Sequence, residues 1–60
     1  MNAYSPTIPE DRQYHLTPNK RYLLHLVDNE VLIIDDEGDT IPIKPKGCHF
    51  LDGGDWRMEV

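Results

Sequence analysis

The sequence predicts a small all-β fold, a barrel of four to five short antiparallel strands preceded by an irregular N-terminal arm. Three observations carry that prediction. Short apolar, β-rich runs recur, above all Val31-Leu32-Ile33-Ile34. Turn signals built from Gly, Pro, Asn and Asp separate these runs at intervals of roughly eight to twelve residues. Almost nothing in the chain reads as helix. The organising stretch is Val31 to Ile43, where four apolar residues enter an acidic corner holding Gly38 and a shorter apolar run, with Ile41 and Ile43, leaves it. That is the pattern of a β-hairpin.

Size constrains what such a fold can be. The 60 residues make one domain at most. A chain this short buries only about 60% of the surface it exposes when unfolded, so its core is small. Cys48 is the single cysteine, so no intrachain disulfide forms, and a reducing, cytoplasmic setting is expected. The N-terminus lacks a basic segment followed by an apolar run, so no signal peptide is expected. No apolar run approaches the roughly 18 residues of a membrane helix, so no membrane partner is expected either.

Each element follows from local chemistry. Residues 1–16 read as an N-terminal arm, flexible or laid along the domain by Ile8, Tyr14 and Leu16, because Pro6 and Pro9 remove ladder donors. One helical turn fits Pro9 to Tyr14, with Thr7 near its cap. The domain proper is expected over residues 17–60. Thr17-Pro18-Asn19-Lys20 is a turn. Arg21 to Val27 reads as one strand, with Tyr22, Leu24 and Leu26 facing the core and Leu23, His25 and Val27 on the other face. After the turn Asp28-Asn29-Glu30, Val31 to Ile34 is a strand whose unbroken apolar run suggests burial on both faces or a place near the middle of the sheet. Asp36-Glu37-Gly38-Asp39 closes the hairpin, Gly38 supplying a positive φ. Thr40 to Ile43 follows; Pro42 cannot donate, so this strand is an edge or sits beside a bulge. Lys44-Pro45-Lys46-Gly47 breaks the pattern, and Asp52-Gly53-Gly54-Asp55 turns the chain again. Trp56 to Val60 alternates as a final strand, Trp56, Met58 and Val60 inward. At this length the common solution is the SH3-like barrel, whose last strand closes against its first.

The run Ile33 to Asp39, followed by Gly47-Cys48-His49-Phe50-Leu51-Asp52-Gly53-Gly54-Asp55-Trp56, resembles a group of small SH3-like proteins encoded by phages and prophages, mostly without an assigned function. Lys20 and Tyr22 precede the first strand much as a lysine and a tyrosine do in that group. The resemblance covers about residues 17 to 60 and departs at Pro42. It implies a phage accessory protein that acts in the cytoplasm of the host cell, where it binds a host protein and redirects or blocks it.

The formal charge is −5, and six of the eleven acids lie between Asp28 and Asp39 with no base among them. The remaining five acids face six bases, so the acidity belongs to one segment. Such a patch repels nucleic-acid phosphate and attracts basic protein surfaces. No nucleic acid is therefore expected as a partner; a host protein is, through Asp35, Asp36, Glu37 and Asp39 together with Tyr14. The alternative is a self-associating homodimer built on Leu23, Val27 and the edge beside Pro42, in which the acids only keep the chain soluble.

Chemistry finds little support. Zinc needs three or four converging ligands, and Cys48, His49, Asp52 and Asp55 with the scattered His15 and His25 lack the paired spacing. A calcium loop counted from Gly38 would place Ile33 and Lys44 at ligand positions, which fails at both ends. A Cys48–His49 nucleophile pair would need a pocket and an oxyanion hole that so short a chain scarcely encloses. No enzyme, metal or cofactor is expected; Cys48 and Trp56 read as core residues.

Overall fold

At Leu24 one extended segment passes from one sheet into another. The computed structural model describes residues 1–60 and contains six strands: β1 Asn2–Tyr4, β2 Tyr22–Leu23, β3 His25–Val27, β4 Glu30–Ile34, β5 Thr40–Ile43 and β6 Arg57–Glu59. Single 3-10 turns lie at Glu10–Arg12 and His49–Leu51, and there is no α-helix. Both three-stranded sheets are antiparallel, one in the order β2-β1-β6 and the other β3-β4-β5. The expected single strand over Arg21 to Val27 is thus two short strands with Leu24 between them, its N–H donating to the Met1 carbonyl at 3.0 Å.

The sheets do not close into a barrel. The free edges of β5 and β6 are joined by one bond just outside the strands, Trp56 N–H to the Pro45 carbonyl at 2.9 Å, and no strand pairing continues from it. Pro42 supplies a reason. The Asp35 N–H donates to the Asp39 carbonyl, so by alternation Ile33 and Val31 face β5, while Ile41 and Ile43 face β4. Pro42 then turns its missing donor toward the free edge, where it harms no bond to β4 and offers none to β6.

The N-terminal segment differs most from expectation. Instead of an arm that contains no strand, Asn2–Tyr4 is the central strand of its sheet, Ala3 opposite both Tyr22 and Met58. Prolines forbid a ladder only from residue 6 onward, and the strand ends before them. Ala3, Ile8 and Leu16 join Tyr22, Ile33, Ile43, Cys48, Leu51 and Trp56 in one core. The β3–β4 hairpin turns on Asp28 and Asn29, whose φ values of 50° and 66° suit a two-residue turn. Leu26 was expected in the core and is 75% exposed: it lies on the edge strand β3, one residue before the strand's end at the Asp28–Asn29 turn. Met58 shares the inner face of Ala3 yet is 38% exposed at the sheet edge, and Val60 is fully exposed.

Candidate functional site

Asp35 builds the acidic hairpin. Its Oδ1 accepts the backbone N–H groups of Glu37 (3.0 Å) and Asp39 (2.8 Å), and the Gly38 N–H donates to its carbonyl at 3.1 Å. Gly38 takes the turn at φ 84°, a region costly for residues with a Cβ. The other Asp35 carboxylate oxygen, Oδ2, accepts from His15 Nδ1 at 2.9 Å, and both side chains are buried. Whatever the charge of the ring, Nδ1 therefore carries the proton. The Asp36 N–H donates to the His15 carbonyl at 2.9 Å, so main chain and side chain together pin residues 14–16 against the base of the hairpin.

Asp36 is also held internally. Its carboxylate accepts from Lys20 Nζ, from the Thr17 hydroxyl at 2.6 Å and from the Tyr22 hydroxyl at 3.2 Å. For both carboxyls burial pushes the pKa up, and hydrogen bonds more than offset it. The donors are His15 and the Asp39 and Glu37 N–H groups for Asp35, and Lys20, Thr17 and Tyr22 for Asp36. Each carboxyl ends below its ordinary value of 3.8. Burial, chiefly, pushes the Tyr22 hydroxyl up.

The four expected acids therefore divide. Asp35 is buried and Asp36 is tied to three side chains, while Glu37 and Asp39 are exposed. Tyr14 is 65% exposed and stacks on His15 at 4.4 Å between ring centroids, which places it beside the hairpin base. Carboxylate oxygens of Asp35, Glu37 and Asp39 lie within 4.8 Å of one another, but the Asp35 oxygens are already engaged by the turn and by His15. Cys48 is buried at the start of the second 3-10 turn, His49 stacks on Phe50, and Asp55 caps the Gly47 N–H at 3.0 Å, so these residues face different tasks.

The outside of the β3-β4-β5 sheet carries a surface of which the sequence showed only Val27 and the edge beside Pro42, as a self-association face, and not Leu32 and Ile34. Residues directly opposite in register share a face. His25, Leu32 and Pro42 form one row, with Val27 and Glu30 on one side of it and Ile34 and Thr40 on the other. Val27 and Ile34 are about half exposed, Pro42 is exposed and Leu32 is partly buried. This apolar face is bracketed by acids at both ends: Asp28 and Glu30 at one turn, Glu37 and Asp39 at the other. The unbroken run Val31 to Ile34 was the signal. In a strand buried on one face only, it forces two apolar side chains outward.

An open groove of about 720 Å³ lies elsewhere, between Ser5–Pro9 and the loop before β6. Its charged lining is Lys46, Asp52, Asp55 and Arg57, with no histidine or cysteine. Comparison of the chain with protein-family models, with curated proteins and with solved structures finds no match.

Proposed function

We propose that this protein is an SH3-like interaction module, a phage-type accessory protein that binds and inhibits a host protein in the cytoplasm. The observation that carries this reading is the outer face of the β3-β4-β5 sheet, where apolar Val27, Leu32, Ile34 and Pro42 lie between two exposed acidic turns. Apolar surface supplies affinity, and the acids select a partner whose apolar patch is flanked by basic side chains. The acidic contribution narrows from four residues to Glu37 and Asp39, joined by Asp28 and Glu30, because Asp35 and Asp36 serve the fold. Tyr14, exposed and stacked on His15 beside the hairpin base, is a separate contact candidate that lies off this face.

The test is capture from bacterial lysate at low and high salt with tagged wild type, Ile34→Lys and a Glu37→Gln/Asp39→Asn double variant. One protein retained by the wild type, lost with Ile34→Lys and weakened by salt and by the double variant, is the expected result. Equal capture by all three proteins would remove this face from consideration.

A further inference from the structure

The free edge of β6 has a pattern that matches itself. From Trp56 to Val60 the strand reads apolar, basic, apolar, acidic, apolar. Turned about Met58 into an antiparallel pair, it sets Arg57 of each copy opposite Glu59 of the other. Directly opposed charges of opposite sign favour pairing.

The backbone is presented for this. The Leu24 N–H bonds the Met1 carbonyl, so Met1 and Ala3 turn their polar groups to β2, and Asn2 and Tyr4 turn theirs to β6. Glu59 and Arg57 lie opposite Asn2 and Tyr4, so their own N–H and C=O groups face β1. Met58 then points its N–H and C=O to the open edge. Trp56 agrees independently, since its N–H, two residues earlier, leaves the sheet on that side to reach Pro45. Such an edge is a template for another strand. Pro45 occupies the edge at Trp56, so the pairing is confined to Arg57–Glu59 and does not slide toward Trp56; a slide the other way would oppose Glu59 to Glu59, so the charges select the register at Met58.

We infer that a second copy of this chain occupies this edge, forming a two-fold dimer with the continuous sheet order β2-β1-β6-β6-β1-β2. Each Met58 donates to the other's carbonyl. The two Met58 side chains, 38% exposed in the single chain, meet on the inner face. Glu59, which already pairs with Arg21 of its own chain at 3.2 Å, then lies between two guanidinium groups. Arg57, with no ion pair in the single chain, gains one. The contact is short, so the dimer is weak and concentration-dependent.

Sedimentation equilibrium from about 10 µM to about 1 mM tests this. The wild type is expected to shift from monomer toward dimer. Arg57→Glu and Glu59→Arg each oppose like charges twice and raise the dissociation constant about tenfold or more. Mixing the two variants restores opposite-sign pairs at both positions, so the mixture associates again. Exchange of the Met58 amide slows with wild-type concentration, a readout that needs no variant. A wild type that stays monomeric throughout would overturn the inference. So would association insensitive to Arg57→Glu, or a mixture no tighter than its components.

Discussion

Asp35 shows how a residue can be correctly noticed and differently employed. The sequence displays it as one of a run of acids, and a run of acids suggests a charged surface. Its hydrogen bonds go to His15 and to its own turn, and no spacing rule connects it with a histidine twenty positions earlier. Two consequences are measurable. Asp35→Ala strands two N–H groups and a buried imidazole, and is expected to cost about 2–4 kcal/mol in urea unfolding. The pH dependence follows from the lowered carboxyls. A group whose folded pKa lies below its unfolded value stabilises the fold above the unfolded value, and that stability is lost as pH falls through the folded one. Asp35 and Asp36 both behave so. The urea midpoint is therefore expected to fall below about pH 4, and less steeply in Asp35→Asn, where one of the two groups no longer titrates.

At the scale of elements, the hairpin was legible and its neighbours less so. Gly38, Pro42 and the apolar run Val31 to Ile34 each carry a local constraint, and β4, β5 and their turn appear where those constraints put them. Arg21 to Val27 carries no such mark at Leu24. The change of sheet there depends on which strands lie on either side, and that information is not local. Met58 has the face that its alternation predicts, but alternation says nothing about whether another element covers it. The edge position of Pro42 yields a contrast. Pro42→Thr adds a donor that meets only solvent and is expected to change stability by no more than about 0.5 kcal/mol. Ile41→Pro, one residue away, removes an N–H that faces β4 and is expected to cost about 3 kcal/mol or more. Chemical denaturation of the two variants separates these outcomes.

For the whole molecule, the all-β class was readable from composition and turns, while the role of residues 1–16 was not. Asn-Ala-Tyr is short, has no β-branched residue and sits just ahead of two prolines, so nothing local marks it as a strand. Its place comes from partners far away in the chain, Leu23 and Glu59 opposite Asn2. Removing residues 1–8 takes away the middle strand of one sheet and two core side chains, Ala3 and Ile8. The shortened chain is expected to be unfolded, with no cooperative melting transition by circular dichroism, whereas a detachable arm would leave the transition intact.

The pairing of Asn2 with Glu59 also equips the molecule with a gauge of its own length. Neighbouring strands stand about 5 Å apart, so probes attached near these two residues sit almost in contact in the native state. The folded chain has a radius of gyration of 10.4 Å, against about 23 Å for an unfolded chain of this length. Energy transfer between such probes would report the approach of the two ends of the sequence, from an unfolded separation to the contact of the β1–β6 pair.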